Sequence, residues 1–151
     1  MSRKRFLTAL SSRLQRLGLP LILVLCLQLA GASPVRAQKV TDASFRTVGY
    51  LKSDGTIQDG NFRTVGHIKS DGTVQDANFR TVAHLKPDGT VQDGNFRTVG
   101  HIKSNGAVQD ANFRTVGYVK SDGTVQDGNF RTVGYAKDIP VPWAALFFFF
   151  L

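Results

Sequence analysis

The chain contains no glutamate: all 11 acidic residues are aspartates, so no general acid, general base or metal ligand here can be a glutamate. A single cysteine, Cys26, rules out a disulfide framework and a cysteine-based zinc centre. Methionine and tryptophan occur once each, and long apolar runs are confined to residues 19–30 and 143–151. A length of 151 residues accommodates one compact domain and argues against two. Positive charge is plentiful, +8 over the chain, but it is unevenly placed.

Arg3, Lys4, Arg5, Arg13 and Arg16 precede the apolar run Leu19–Ala30, and Val35-Arg36-Ala37 then sets small residues before Gln38. This basic, apolar, small-residue order reads as a secretory signal peptide over residues 1–37, too short in its apolar part for a comfortable transmembrane helix. Retention as an uncleaved anchor is the alternative. Cys26 lies inside the apolar run behind Val24-Leu25, which does not suit lipid attachment. Of the 19 basic residues, six fall in residues 1–37 and none of the 11 acids does, which leaves 13 against 11, or +2. The basic balance therefore belongs to export, and nucleic acid is not an expected partner. The expected location is beyond the cytoplasm of a bacterium: periplasmic, cell-surface or secreted.

The remaining chain repeats itself. Phe45, Phe62, Phe79, Phe96, Phe113 and Phe130 recur every 17 residues, each opening a Phe-Arg-Thr-Val sequence. Each unit reads as a β-hairpin, with a first strand over Phe45–Lys52 and a short second one over Thr56–Asp59. Gly55, Gly72, Gly89, Gly106 and Gly123 hold one slot without exception, as expected where φ must be positive. Pro87 replaces serine two residues before one of them, which fits a three-residue loop built on a type I turn. Lys52 then opposes Thr56, Leu51 opposes Ile57 and Tyr50 opposes Gln58. Strict alternation places Phe45, Gly49, Leu51 and Ile57 on one face, with Thr47 between them. Arg46, Val48, Tyr50, Lys52, Thr56 and Gln58 fall on the other. Ala83 stands once in the Gly49 slot, so small size beside a close backbone is the expected requirement there, not positive φ.

A lone hairpin cannot bury its apolar face, so the units must stack or form a ring. Val40–Ser44 matches the second half of a unit and Phe130–Lys137 the first half, so the termini can complete one hairpin between them. The expected fold is all-β, with 17-residue hairpins arranged radially as a closed ring of five to six petals over residues 38–138, free of exposed sheet edges. Residues 139–151 contain Trp143–Leu151 without a charged or polar side chain, and this apolar segment is expected to plug the centre. Membrane contact through its phenylalanines is the less favoured reading.

The Tyr-x-Lys-Ser-Asp-Gly-Thr-Val-Gln-Asp-Gly-Asn-Phe-Arg-Thr-Val-Gly units, the signal-like N-terminus and the Trp143–Phe150 ending resemble the five-fold β-flower family of small secreted bacterial proteins. The resemblance covers about residues 38–151. It implies hairpin petals around a pseudo-symmetry axis in an exported bacterial protein of uncharacterised function, and it supplies no catalytic or binding residues.

Chemistry-bearing clusters are sparse. His67, His84 and His101 share a slot with Tyr50, Tyr118 and Tyr135, and that free exchange points to a surface aromatic and not to metal ligands. The Asp-Gly-Thr-Val-Gln-Asp stretches lack the ligand spacing of known calcium loops. No nucleophile–base pair and no phosphate loop is present, so neither catalysis nor a cofactor is expected. The expected ligand-contact stripe lies on the outer face: Arg46, Tyr50 and Lys52; Arg63, His67 and Lys69; Arg80, His84 and Lys86; Arg97, His101 and Lys103; Arg114, Tyr118 and Lys120. Aromatics beside cations suit a glycan or an envelope polymer, met several times over. An exported structural or interaction module is the leading expectation, with polymer binding as the alternative.

Overall fold

Two tight turns of the same geometry recur along the repeat, and between them they cut each unit into two short antiparallel strands. The computed structural model describes residues 35–151, so the segment read as a signal peptide, with Cys26, lies outside the described residues except for Val35–Ala37. The strands are β1 (Ala37–Asp42), β2 (Thr47–Lys52), β3 (Thr56–Asp59), β4 (Thr64–Ile68), β5 (Thr73–Asp76) and β6 (Thr81–Leu85). They continue as β7 (Thr90–Asp93), β8 (Thr98–Ile102), β9 (Ala107–Asp110), β10 (Thr115–Val119), β11 (Thr124–Asp127) and β12 (Thr132–Tyr135), followed by one helix, α1 (Val141–Phe149).

In the first turn, Gly55 N–H donates to Lys52 O over 2.9 Å, and Gly55 has φ 85°. A side chain there is excluded twice: by the left-handed backbone, and by the carbonyl of Ile68 on the next hairpin, which a Cβ would strike. The register sets Leu51 against Ile57 and Tyr50 against Gln58, as a three-residue loop requires.

The second turn repeats this design with a different residue. Phe62 N–H donates to Asp59 O over 3.1 Å and Asp59 N–H to Arg63 O over 2.9 Å, and Phe62 takes the left-handed slot at φ 64°. All six repeat phenylalanines do so, with φ between 61° and 64°. For a residue with a Cβ this costs roughly 1–2 kcal/mol per copy. Asp59 Oδ1 offsets part of it by accepting from the N–H groups of both Asn61 and Arg63, at 2.8 and 2.9 Å.

A bulge follows each second turn. Ile57 pairs with Gly66 but Gln58 pairs with Thr64, so Val65 is the extra residue. The repeat length demands it. Ile57 and Gly66 both face the interior, and a three-residue turn alone preserves alternation, so one residue has to be absorbed for nine-apart positions to share a face. The bulge overturns two face assignments made on strict alternation. Phe45 and its equivalents are not interior but 62–68% exposed on the outer wall, and each first strand begins at the Thr47 type of position. The valines of the Val48 slot turn the other way: Val65, Val82, Val99 and Val116 border the central segment.

Pairing continues without a break around all twelve strands, and β12 pairs with β1 to close the barrel. In that seam Gly134 opposes Asp42 and Tyr135 opposes Thr41. This is the same register that sets Gly49 against Asp59 and Tyr50 against Gln58 within a continuous hairpin. The two half-units of the termini thus build one hairpin.

An eight-stranded barrel is just filled by its own side chains, so a twelve-stranded one needs a filler. Helix α1 supplies it. The helix is apolar on every side, with Ala144–Leu146 buried and Val141, Trp143 and Phe147–Phe149 partly buried against the core. Its nine residues span about 14 Å, close to the roughly 13–20 Å of strands four to six residues long. Ala144, Ala145 and Leu146 are buried among Leu51, Ile57, Ile68, Val74, Val91 and their equivalents. The four phenylalanines then seat on the small residues of the ring. A Cβ on Gly49 would lie 3.0 Å from the Phe147 ring, on Gly134 2.6 Å from Phe148, and on Gly100 2.6 Å from Phe150, while one on Gly117 would strike Phe149. Gly66 has no phenylalanine against it, and the neighbouring unit carries Ala83. Among the described residues no helix is long and apolar enough to cross a membrane.

Candidate functional site

The outer wall is where the repeat concentrates its exposed chemistry. Left-handed turns lay each repeat phenylalanine flat on the tyrosine or histidine of the preceding strand pair. Phe62 stacks on Tyr50 with centroids 4.4 Å apart, Phe79 on His67 at 5.2 Å, Phe96 on His84 at 4.5 Å, and Phe113 on His101 at 4.6 Å. Phe130 stacks on Tyr118 at 4.9 Å, and Phe45 crosses the seam to Tyr135 at 4.7 Å. Each stack contributes about 0.5–1.5 kcal/mol beyond its buried area, comparable with the cost of the left-handed backbone. A second tie comes from Gln58 Nε2, which donates to Phe62 O over 3.0 Å, and from the same bond at Gln75, Gln92 and Gln126.

This geometry redistributes the expected stripe. Tyr50, His67, His84, His101 and Tyr118 are half-buried, each with one ring face covered. The open aromatic faces belong to the phenylalanines. Arg46, Arg63, Arg80, Arg97 and Arg114 are exposed directly after them. Lys69, Lys86, Lys103 and Lys120 are also exposed, and Lys52 is half-exposed, but they sit at the opposite end of the strands, beside the glycine turns. The stripe therefore resolves into an Arg–Phe rim and a lysine rim with the aromatic stacks between. Sequence reasoning missed the phenylalanines because it placed them inside. The odd repeat length was the signal that they point outward.

Electrostatics are local. Among the described residues one ion pair forms, Arg46 Nε to Asp42 Oδ2 at 2.9 Å. The carboxyls of Asp54, Asp71, Asp88 and Asp122 are held below the usual carboxylate range. The backbone N–H of Thr56, Thr73, Thr90 or Thr124 is the main cause in each case, with the adjacent lysine adding to it. Asp42 is lowered first by the backbone N–H of Arg46. These aspartates are turn elements. The three histidines lie on separate strands against separate phenylalanines, and no group of three metal-ligating side chains gathers among the described residues.

No match to the chain was found among curated proteins or among solved structures. The family model described as 5-fold beta-flower protein matches residues 37–151, and the chain belongs to that family.

Proposed function

We propose that the protein is an exported, non-enzymatic interaction module of the cell envelope or exterior, built as six petals that present one contact surface in several copies. The observation that carries this reading is the array of exposed phenylalanines, each held in a costly left-handed turn and followed by an exposed arginine. A strained residue repeated in every unit supports a surface role, because glycine or asparagine would close the same turn at lower cost. Near-identical copies around an axis, with the lumen filled by α1, give little support to an asymmetric catalytic set. A repeated Arg–Phe contact suits a partner that is itself repetitive, since weak contacts multiply into avidity. A glycan or envelope polymer on the same wall is the second reading, favoured by the aromatic faces beside cations.

The test is a pulldown on isolated envelopes and a glycan array, comparing the wild type with variants that change one, two and four of Arg63, Arg80, Arg97 and Arg114 to glutamine. Binding should weaken progressively with each arginine lost. An all-or-none loss from one substitution, or turnover in a broad hydrolase screen, overturns the proposal. Mass spectrometry of the mature N-terminus should find Gln38 first, and a mature protein beginning upstream of residue 30 overturns cleavage.

A further inference from the structure

The six-fold wall is nearly uniform, but the mouth of the barrel at its glycine-turn end is not. There a groove of about 460 Å³ opens between Trp143, Pro87 and the turns carrying Lys69, Lys86 and Lys103, and a second one beside it is lined by Ser104, Asn105 and Lys120. Several departures from the repeat fall on this side. The strands that lead into these three lysines, β4, β6 and β8, carry His67, His84 and His101, where the other first strands carry tyrosine. Pro87 replaces the turn serine, and Leu85 is partly exposed where its equivalents Leu51, Ile68, Ile102 and Val119 are buried. Pro87 and Leu85 line the groove, so part of the repeat's broken symmetry coincides with it, while Asn105 and Ala107 stand at the next turn.

We propose that this groove binds a carboxylated pyranose, the repeating unit of an acidic polysaccharide. The proposal shares with the preceding section only the idea of an interaction module and does not depend on the Arg–Phe rim. An indole beside a proline ring offers an apolar surface for the C–H face of a sugar, while the indole N–H supplies a polar handle. Asp71 and Asp88 spend Oδ1 on their own turns, accepting from Thr73 N–H at 2.8 Å and Thr90 N–H at 2.9 Å. Their second oxygens are left to accept from sugar hydroxyls. Lys69, Lys86 and Lys103 form no ion pair among the described residues, and with the two aspartates they leave a net charge of +1. That balance favours one carboxylate per bound sugar over a neutral or multiply charged unit. The lysines are flexible point charges, suited to a carboxylate presented in more than one orientation.

Trp143 is the chain's one tryptophan, so its fluorescence reports on the groove directly. The intact protein is titrated at low salt with a short oligogalacturonate, with its methyl ester, and with polyglutamate as an anion that is not a sugar. Saturable change in Trp143 emission is expected with the oligogalacturonate, and affinity at least tenfold weaker with the ester and with polyglutamate. Replacing Lys69, Lys86 and Lys103 together by serine should weaken oligogalacturonate binding at least tenfold. Lys137→Ser, three hairpins round the ring from Lys86, should leave it unchanged. Absence of saturable oligogalacturonate binding by both fluorescence and calorimetry overturns the proposal. Equal binding of ester and acid, equal binding of polyglutamate, or equal loss in Lys137→Ser does the same. Because the rim arginines are untouched, this outcome is separable from that of the envelope pulldown.

Discussion

Seating four phenylalanines on the small residues of the ring makes a sharp distinction between glycines that look equivalent in sequence. Gly134→Ala places a methyl 2.6 Å from the Phe148 ring as well as against the Thr41 carbonyl. Gly66→Ala meets the Gln75 carbonyl at 2.6 Å, but its nearest side-chain atom is Ile57 Cδ1 at an ordinary 3.6 Å. The neighbouring unit already lives with an alanine at that slot, Ala83. Overpacking a filled core costs about 1–3 kcal/mol. Losing a glycine stiffens the unfolded chain, for a gain of about 0.4–1 kcal/mol where the backbone permits it. Gly66→Ala should therefore leave stability within about 1 kcal/mol of wild type, and Gly134→Ala should lower it by about 1–3 kcal/mol. For a domain of this size the second figure corresponds to a melting-temperature drop of roughly 4–15 °C. Thermal unfolding by circular dichroism measures both. A Phe148→Leu background, which shortens the opposing side chain, should remove at least about 1 kcal/mol of the Gly134→Ala penalty. Equal penalties for the two glycines, or a Gly134→Ala penalty that persists with Phe148→Leu, would refute the seating of rings on glycines as the source of the difference.

Three further outcomes follow from the same geometry. At Phe62, Phe62→Gly relieves the left-handed strain that Phe62→Ala keeps, so the glycine variant should melt higher than the alanine one by the equivalent of about 1 kcal/mol; the reverse order in a melting comparison would deny the strain. In the folded state the turn N–H groups of Thr56, Thr73, Thr90 and Thr124 hold the carboxyls of Asp54, Asp71, Asp88 and Asp122 below the usual carboxylate range. Their stabilisation is thus complete above about pH 4 and is lost as pH falls through the lowered values. Changing all four to asparagine, the residue already at Asn105, should flatten the acid limb of a plot of melting temperature against pH, and an unchanged limb contradicts it. Deleting residues 38–44 removes β1 and leaves β12 without its seam partner, so unfolding should shift sharply downward in denaturant; an unaltered midpoint in a monomeric protein is the opposing result.

The ring was legible in the sequence because the chain compares itself with itself. The invariant glycine at position 55 identified the first turn, and the half-units at Val40–Ser44 and Phe130–Lys137 identified the seam. The second turn was hidden by chemistry. Phenylalanine is a strong strand former and a poor left-handed residue, so Asn61-Phe62-Arg63 reads as the start of a strand when it is the end of a loop. Nothing in the composition of Thr64-Val65-Gly66 marks a bulge. Only the odd spacing from Ile57 to Gly66 requires one, and that arithmetic presupposes knowing which residues face inward. The groove at the barrel mouth was further out of reach, because it depends on where α1 enters.

A helix of fixed girth inside a ring of nearly identical units has a consequence for how such a chain can change over generations. Tandem copies invite gain or loss of whole units by misaligned recombination, and each unit added or removed changes the strand number by two. Barrel diameter grows with strand number, so a longer ring would leave α1 loose in a wet cavity and a shorter one would have no room for it. The phenylalanines would also lose their one-to-one match with the small residues that receive them. Helix α1 thus acts as a gauge of copy number, and a viable change in the repeat array calls for a matching change in the last nine or ten residues of the chain.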